Sequence, residues 1–396
     1  MNIKIKPGKL KGTLNAVSSK SFAHRLIVGA MLSDKETEIT INGFSDDILR
    51  TLSCVEALGG KYSVSGNTVR IYPVKCDITD AVLNCGESGT TARIMVPVCS
   101  VASKSATVTG SGRLPERPFS EITCLLRNRG CDVVGDSLPI SVKGKPNYGD
   151  FPIAGNISSQ YVTGLMMALP LLSGESTITL TTPLKSSAYV DITIEVLKQF
   201  GINIGRSENV FYIPAAKYHT PDKAAAEGDW SNAAFWIVSD FLGSQIEVKN
   251  LNYSSVQGDR RITEILSDTV IDVDEIPDLF PVLAVLATGR KGKTTLCNAS
   301  RLRLKESDRI EAVNSMLTAL GGKTDVGDDY LTVYGTGTLN GGVVKSYNDH
   351  RIVMSAAVAA TISKDCVIIE GYEAVNKSYP SFFEDYKKLG GDFDVF

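Results

Sequence analysis

The chain has 396 residues, of which 43% are hydrophobic and 21% are charged, a composition that is ordinary for a globular protein large enough for two domains. Its formal net charge of −3 argues against a protein that binds nucleic acid through bulk electrostatics. The sequence has no secretory signal, no apolar run long enough to span a membrane, no C-x-x-C pair and only three scattered histidines, so we expect a cytoplasmic protein without membrane or metal contact.

One pattern recurs along the chain: the end of an amphipathic helix, a glycine, and two short runs of β-forming residues around a turn. The glycine fits a helix C-cap with positive φ, and the alternation after it fits a strand. The pattern occurs at Leu58–Val64, Arg129–Val134, Phe200–Ile204, Leu320–Val326 and Leu389–Val395. A degenerate copy near Ile262 to Val273 would complete six units of about 66 residues each.

Each unit also holds a second, more apolar helix whose first turn is polar. In chain order these starts are Ser18–Ser21, Glu87–Thr91, Ser158–Gln160, Asp229–Ser231, Ile276–Asp278 and Asn348–Arg351. Helices that are apolar on all sides are buried, so we predict that their N-termini are fixed and clustered. Clustered N-termini make an anion pocket, although each start taken singly is better explained by ordinary N-capping.

Basic side chains within about a turn of these starts favour the anion pocket. They are Lys20, Arg25, Arg93 and Arg351. The Gly- and Pro-rich loop Gly110–Pro118 adds Arg113 and Arg117, which we expect to be exposed. Guanidinium groups beside serine and glycine suit bidentate binding of phosphate and carboxylate, so a ligand with several negative charges is predicted.

The segment Arg301–Ile310 breaks the usual charge preference of a helix start. The apolar spacing predicts a helix from Ser307, with Arg303, Lys305 and Arg309 at the positive end of its dipole. Each cation there costs a few tenths of a kcal/mol unless an anion is present. The segment is therefore either a solvated charged turn or part of the anion site.

Ten short motifs, in one order along the whole chain, resemble those of the EPSP synthase (3-phosphoshikimate 1-carboxyvinyltransferase) family of enolpyruvyl transferases. They are Ser19–Arg25, Ser88–Arg93, Arg113–Pro118, Ile157–Gln160, Ser186–Asp191, Glu227–Asp229, Ile276–Asp278, Leu304–Arg309, Asn348–Arg351 and Asn376–Pro380. The chain departs from the family pattern at Ala16–Ser18, His24, Glu87 and Arg301. These departures leave substrate affinity, inhibitor sensitivity and the roles of Glu87 and Arg301 open.

The resemblance implies an α/β (α+β) fold of two domains, each built from three βαβαββ repeat units with buried parallel helices. It implies a discontinuous domain of residues 1–12 and 227–396, an inserted domain of residues 13–226, and an active site in the interdomain cleft. The six units predicted from the recurring pattern agree with this organisation.

The reaction implied by the resemblance transfers the enolpyruvyl (carboxyvinyl) group of phosphoenolpyruvate to the 5-hydroxyl of shikimate 3-phosphate. It releases phosphate through a tetrahedral intermediate and belongs to the shikimate pathway to chorismate and the aromatic amino acids. By motif match, shikimate 3-phosphate would be held by Lys20, Ser21, Arg25, Ser158, Ser159, Gln160, Ser186, Tyr189, Asp278 and Lys305. Phosphoenolpyruvate would be held by Lys20, Gly89, Arg117, Gln160, Arg309, Arg351 and Lys377.

The same resemblance assigns the proton transfers that the reaction requires. Asp278 would be the base near the hydroxyl, Glu306 a second proton-transfer group, and Lys20 a further candidate. Such general acid–base catalysis contributes about 10²–10⁴ in rate. No metal or organic cofactor is implied, the partners are the two substrates, and we expect the chain to act as a monomer.

Two other functions compete with this prediction. UDP-N-acetylglucosamine enolpyruvyl transferases share the repeat architecture, but they usually carry a cysteine in the mobile loop, and Gly110–Pro118 has none. A non-catalytic binding module, or a protein that processes RNA 3′-phosphates on the related repeat fold, would have no reason to match Asp278, Glu306 and both substrate sets. The sequence therefore favours shikimate 3-phosphate as the acceptor.

Overall fold

The computed structural model describes residues 1–396, and the chain divides into two compact units. The first unit comprises Met1–Val17 and Glu227–Phe396, and the second comprises Ser18–Ala226. The family resemblance implied a first crossover near residue 12, and the first unit extends to Val17. The reason is that the strand Lys11–Asn15 pairs in parallel with the strand Gln245–Lys249.

The helices and strands follow one another in six similar groups. The first unit starts with β1 (Asn2–Ile5) and β2 (Lys11–Asn15). The second unit contains α1 (Lys20–Met31), β3 (Thr37–Thr40), α2 (Asp46–Ala57), β4 (Lys61–Ser65), β5 (Thr68–Tyr72), β6 (Ala81–Asn84), α3 (Gly89–Ala102), β7 (Ser105–Thr109), α4 (Ser120–Asn128), β8 (Asp132–Val134), β9 (Ile140–Lys143), β10 (Asp150–Ala154), α5 (Ser159–Ala168), β11 (Ser176–Thr182), α6 (Ala188–Gln199), β12 (Gly205–Ser207), β13 (Val210–Ile213) and β14 (Ala224–Ala225). The first unit then resumes with α7 (Trp230–Phe241), β15 (Gln245–Lys249), α8 (Ile262–Ile265), β16 (Val270–Asp272), α9 (Phe280–Gly289), β17 (Lys291–Cys297), α10 (Arg309–Ala319), β18 (Lys323–Val326), β19 (Tyr330–Thr336), β20 (Gly342–Lys345), α11 (His350–Ala360), β21 (Val367–Glu370), α12 (Phe382–Lys388) and β22 (Phe393–Val395).

The four-stranded sheets share one topology, in which the first two strands pair in parallel and the remaining pairs are antiparallel. In the second unit the strand orders are β14-β3-β5-β4, β6-β7-β9-β8 and β10-β11-β13-β12. In the first unit they are β16-β17-β19-β18 and β20-β21-β1-β22. The N-terminal strand β1 thus supplies the third strand of the last sheet. The predicted βαβαββ repeat is confirmed in these five copies.

The remaining copy is shorter and contains a two-stranded sheet of β2 and β15. After β15 the chain forms a 3-10 turn at Gly258–Arg261 and then α8, instead of a second strand pair. The side-chain oxygen of Gln257, at the start of this turn, accepts from the backbone N–H of Trp230 and so ties the segment to the start of α7. The degenerate repeat predicted near Ile262 to Val273 lies in this region.

Each unit has its own apolar core, and the apolar helices lie inside it. All residues of α11, and Phe280–Thr288 of α9, are buried, as the apolar pattern predicted. The predicted glycine caps are also confirmed, since five glycines after helices have φ between +80° and +98°: Gly59, Gly130, Gly201, Gly321 and Gly390. No helix is long and apolar enough to span a bilayer.

Candidate active site

In the second unit, the polar starts of α1, α3 and α5 are N-caps. The hydroxyls of Ser19, Ser88 and Ser158 accept hydrogen bonds from backbone N–H groups in the first turn of each helix. Ser159 opens α5 and is buried, while Ser186 precedes α6 with a φ of 54° and is also buried. Ordinary N-capping therefore explains the polar first turns of these three helices.

The structure brings the starts of α3 and α5 together through Gln160. Its Nε2 donates to the hydroxyl of Thr90 at 2.7 Å, and its Oε1 accepts from Nη1 of Arg93 at 2.9 Å. Gly89 leaves room for Arg117, because a Cβ at Gly89 would lie 2.5 Å from Nη1 of Arg117. Two guanidinium groups and one amide thus surround the N-terminus of α3, an arrangement that suits an anion.

Arg25 is buried inside the second unit and is held by neutral groups. Its Nε donates to Thr193 Oγ1 at 2.8 Å and its Nη2 to Thr163 Oγ1 at 3.1 Å. The backbone oxygens of Ser21 and Tyr189 accept two further bonds, at 2.8 and 3.0 Å. Burial lowers the pKa of the Arg25 guanidinium to about 10. A cation held this way in a buried position is suited to receive a carboxylate or phosphate of a ligand.

Lys20, at the first position of α1, pairs with Asp47 of α2 at 2.7 Å, and both side chains are mostly buried. One turn later, Nδ1 of His24 lies 2.7 Å from the hydroxyl of Thr51. A buried hydroxyl chain continues from Thr51 to Thr91 at 2.8 Å and then to the α3 cap at Ser88. These contacts fix the first turn of α1 against α2 and α3.

The other predicted residues lie in the first unit, where Arg309 is the centre of a cluster. Its side chain is 2% exposed and donates to three carboxylates. The distances are 2.7 Å from Nη1 to Asp278, 2.8 Å from Nη2 to Glu306 and 3.0 Å from Nε to Asp349. Burial lowers the pKa of the guanidinium, but Asp349, Glu306 and Asp278 outweigh it and raise the pKa well above its ordinary value.

Asp278 is shared by two arginines, since its second oxygen accepts from Nη2 of Arg351 at 2.9 Å. Burial raises the pKa of the Asp278 carboxyl, but Arg351, Lys305 and Arg309 outweigh burial and hold the pKa well below its ordinary value. Asp278 is therefore ionised at neutral pH. Its low proton affinity makes it a weak base as long as both arginines are bound to it.

The predicted residues Arg351 and Lys377 both lie at the start of α11, beside its N-cap Asp349. Asp349 is fully buried, caps α11 by accepting from the N–H of Arg351 at 2.9 Å, and accepts from Ser307 Oγ at 3.0 Å. Lys377 donates to the backbone oxygen of Asn348 at 2.6 Å. The predicted Arg351 thus lies in the first turn of α11, and the predicted Lys377 contacts the residue just before its cap.

The charge anomaly at Arg301–Ile310 is resolved mostly by the chain's own acids. Helix α10 begins at Arg309 with Asp308 as its N-cap, two residues later than the predicted start at Ser307. Arg303 pairs with Asp308 at 2.9 Å, and Arg301 pairs with Asp274 at 2.8 Å. Both arginines therefore have structural partners, whereas Lys305 and Arg309 act on Asp278.

Glu87, the other departure from the family pattern, lies against the arginine-bearing loop. A Cβ at Gly112, whose φ is +59°, would lie 2.7 Å from the carboxylate of Glu87.

No group of three or more His, Cys, Asp or Glu side chains has the arrangement of a metal site.

Comparison with known proteins assigns the chain to a family. The EPSP synthase (3-phosphoshikimate 1-carboxyvinyltransferase) family model matches residues 5–270 and 266–386. The chain is 38% identical to the 3-phosphoshikimate 1-carboxyvinyltransferases of Clostridium kluyveri and Clostridium novyi, in each case over 99% of this chain and 98% of that protein.

The chain belongs to the EPSP synthase family.

The fold agrees with this membership. The structure of the EPSP synthase from Acinetobacter baumannii superposes with a TM-score of 0.83 over 100% of both chains. Because the identity to that protein is 24%, this likeness supports the enolpyruvyl transferase fold alone.

Several residues that the EPSP synthase motifs did not single out hold the predicted ones in place. Thr163 and Thr193 fix Arg25, and Asp47 pairs with Lys20. Asp349 could have been found from its position inside the motif Asn348–Arg351. The two threonines lie on the buried faces of α5 and α6, and in the sequence a threonine there indicates only a hydroxyl that needs a hydrogen-bond partner.

Proposed function

We propose that this chain transfers the enolpyruvyl group of phosphoenolpyruvate to the 5-hydroxyl of shikimate 3-phosphate and releases inorganic phosphate. Family membership over the full length supports the reaction. The structural observation that carries the proposal is the attachment of both candidate proton-transfer groups, Asp278 and Glu306, to the single guanidinium of Arg309. Acids and a cation are thereby assembled where charge develops during the reaction.

The proposed binding residues fall into two sets, one for each substrate. Shikimate 3-phosphate is bound by Lys20, Ser21, Arg25, Ser158, Ser159, Gln160, Ser186, Tyr189, Asp278 and Lys305. Phosphoenolpyruvate is bound by Lys20, Gly89, Arg117, Gln160, Arg309, Arg351 and Lys377. The buried Arg25 and the guanidinium groups beside α3 support these sets, because both substrates carry a phosphate and a carboxylate.

The chemistry consists of an addition and an elimination. In the addition, the 5-hydroxyl oxygen bonds to C2 of phosphoenolpyruvate while its proton passes to Asp278, and C3 takes up a proton from Glu306 or Lys20. In the elimination, C3 returns its proton to the group that supplied it, the bond between C2 and the phosphate oxygen breaks, and the departing phosphate takes up the proton held by Asp278. The products are the enolpyruvyl ether and phosphate, so atoms and electrons balance without a redox partner.

Phosphoenolpyruvate binding also bears on the weakness of Asp278 as a base. Arg309 and Arg351 both donate to Asp278 and both belong to the proposed phosphoenolpyruvate set. An anion that shares these two cations removes part of the field that holds the pKa of Asp278 low. Binding of phosphoenolpyruvate would therefore strengthen the base at the moment when it is needed.

Phosphate release measured with purified protein tests this function. We expect release only when shikimate 3-phosphate and phosphoenolpyruvate are both present, and background rates when either is left out. UDP-N-acetylglucosamine in place of shikimate 3-phosphate should give no release. Equal turnover with the nucleotide sugar would reject the proposed acceptor, and phosphate release from phosphoenolpyruvate alone would reject the transfer.

A further inference from the structure

Four buried side chains of the second unit form a hydroxyl chain that runs from α1 through α2 to the cap of α3. They are His24, Thr51, Thr91 and Ser88, and each is 1% exposed. The distances are 2.7 Å from His24 Nδ1 to Thr51 Oγ1, 2.8 Å from Thr51 Oγ1 to Thr91 Oγ1, and 2.8 Å from Thr91 Oγ1 to Ser88 Oγ. None of the four belongs to the proposed substrate-binding sets.

The direction of these hydrogen bonds follows from the Ser88 end of the hydroxyl chain. The hydroxyl of Thr91 donates to Ser88 Oγ, which also accepts from the backbone N–H of Thr91 at 3.3 Å. A hydroxyl has one proton to donate, so the proton between Thr51 and Thr91 comes from Thr51. The backbone oxygen of Asp47, at 3.5 Å from Thr51 Oγ1, is too distant to compete for that proton.

The same count fixes the tautomer of His24. Because Thr51 donates to Thr91, the oxygen of Thr51 must accept from Nδ1 of His24. Burial lowers the pKa of His24 well below its ordinary value, so the ring is neutral and carries a single N–H. That proton is therefore on Nδ1, and every bond of the hydroxyl chain points from α1 towards the cap of α3.

The hydroxyl chain ends beside a residue of the proposed phosphoenolpyruvate set. Ser88 is the N-cap of α3, and Gly89 follows it as the first residue of that helix. Arg117 lies against Gly89, since a Cβ there would be 2.5 Å from Nη1 of Arg117. Bonds that hold the Ser88 hydroxyl in its capping position therefore also hold the backbone against which Arg117 lies.

We propose that Thr51 and Thr91 are positioning residues for phosphoenolpyruvate, because they connect the ring of His24 to the cap of α3. The inference rests on the proposed function, since it assigns both threonines a part in binding one substrate of that reaction. They act through Ser88 and Gly89, not on the substrate itself. Lys20 is held separately by its ion pair with Asp47, so binding of shikimate 3-phosphate should not depend on the hydroxyl chain.

Steady-state kinetics of Thr51→Val and Thr91→Val test this role. Valine keeps the shape of threonine but can neither donate nor accept, so each substitution interrupts the hydroxyl chain. KM for phosphoenolpyruvate should rise about fivefold or more in each variant, while kcat and KM for shikimate 3-phosphate change less than about twofold. The double variant should be little worse than either single one, because the first interruption already breaks the connection.

Variants that keep a hydroxyl separate positioning from packing. Thr51→Ser and Thr91→Ser should have wild-type KM values, and defects as large as those of the valine variants would overturn the inference. Ser100→Ala is the matched control, because Ser100 is buried in the same helix α3 but donates to the backbone oxygen of Pro97 at 2.6 Å. Its loss should leave both KM values unchanged.

Two substitutions of His24 test the other end of the hydroxyl chain. Asparagine carries its amide nitrogen on Cγ, as histidine carries Nδ1, so His24→Asn retains a donor for Thr51, whereas His24→Leu has none. His24→Asn should keep KM for phosphoenolpyruvate near the wild-type value. His24→Leu should raise it as much as Thr51→Val does, and equal KM values in the two His24 variants would count against the connection.

Nitrogen-15 NMR of the His24 ring separates failure of the inference from failure of the proposed function, because it needs no substrate. The wild-type ring should be protonated on Nδ1. In Thr91→Val, Thr51 loses its acceptor and can donate to Nδ1, so a ring protonated on Nε2 should appear although residue 91 has no bond to His24. A wild-type ring protonated on Nε2, or an unchanged KM for phosphoenolpyruvate in both valine variants, would overturn the inference even if phosphate is released as proposed. Absence of phosphate release in the wild type would instead reject the proposed function.

Discussion

Arg25 donates a hydrogen bond from Nε to the hydroxyl of Thr193 at 2.8 Å, and Thr193 in turn lies 2.8 Å from Thr163, which accepts from Nη2 of the same arginine. Two fully buried hydroxyls on α5 and α6 therefore set the plane of a guanidinium on α1. Since no carboxylate is among these contacts, the charge of Arg25 remains for a ligand. The threonines are positioning residues for that ligand contact.

Replacement of either threonine by valine should weaken the binding of shikimate 3-phosphate. Valine has the shape of threonine but leaves one buried N–H of Arg25 without its acceptor, a loss of roughly 1–3 kcal/mol. We expect KM for shikimate 3-phosphate to rise about tenfold or more in Thr163→Val and Thr193→Val, with KM for phosphoenolpyruvate changed much less. Steady-state kinetics with each substrate varied in turn checks this.

Serine at the same positions is the control, because it keeps the hydroxyl and loses only a methyl group. Thr163→Ser and Thr193→Ser should retain near wild-type KM values. If the serine variants were as defective as the valine variants, packing rather than the orientation of Arg25 would explain the loss.

Glu306→Gln should separate catalysis from binding. The glutamine oxygen can still accept from Nη2 of Arg309, a contact of 2.8 Å in the native protein, but the amide cannot transfer a proton. We expect kcat to fall by about 10²–10⁴ while the dissociation constant of shikimate 3-phosphate changes little. Titration calorimetry and the phosphate-release rate measure the two effects.

The matched control is Glu311→Gln, an exposed carboxylate in the first turn of the same helix α10. It should leave kcat within a factor of about two, since surface substitutions are nearly neutral. Unchanged turnover in Glu306→Gln would reject the role of Glu306 in proton transfer.

Gly89→Ala should act on phosphoenolpyruvate through Arg117. The added Cβ would lie 2.5 Å from Nη1 and 3.2 Å from Cζ of Arg117, so the guanidinium must move away from the start of α3. We expect KM for phosphoenolpyruvate to rise about tenfold, as it should in Arg117→Ala, because a charge-assisted hydrogen bond is lost. The double variant should be little worse than either single one.

Arg113→Ala is the control for this prediction. Arg113 lies in the same loop but is half exposed and faces Glu116 at 3.6 Å, so its removal should leave both KM values nearly unchanged. Additive losses in the double variant of Gly89 and Arg117 would show that the two residues act independently.

The local features of this fold were accessible from the sequence because each depends on a short segment. Gly59 and Gly321 predict the ends of helices, since few other residues adopt a positive φ there. The apolar run of α11 predicts that this helix is buried. Repetition of such segments was sufficient to predict six similar units, whereas the βαβαββ order within each unit was implied by the family resemblance. The cations at Lys20 and Arg309 were recognisable because they break a local charge rule.

The partners of those cations were not predictable in the same way. Arg303 and Arg301 have the same local signature as Arg309, yet they pair with Asp308 and Asp274 and serve the structure. Tertiary contacts between segments that are distant in sequence decide which acidic side chain pairs with which basic side chain.

The stability of the second unit should depend on pH through His24. The ring is 1% exposed, and burial, with the added repulsion of Lys20 and Arg25, lowers the pKa of His24 well below 6.5. The unfolded chain takes up a proton as the pH falls below 6.5, whereas the folded protein does not. The free energy of unfolding should therefore decrease below pH 6.5 by up to about 1.4 kcal/mol per pH unit and be fully present above it.

Urea unfolding of wild type and His24→Asn between pH 5 and 8 measures this contribution. The asparagine variant should be less stable at pH 8, because a buried ring is lost, but its free energy of unfolding should decrease less steeply toward pH 5. His219→Asn is the control, because His219 is mostly exposed and pairs with Asp34 at 3.1 Å, and it should keep the wild-type slope below pH 6.5. If the free energy of unfolding of His24→Asn decreased toward low pH as steeply as that of the wild type, other groups would cause the acid sensitivity. His24 would then not be neutral and buried beside Thr51 in the folded protein.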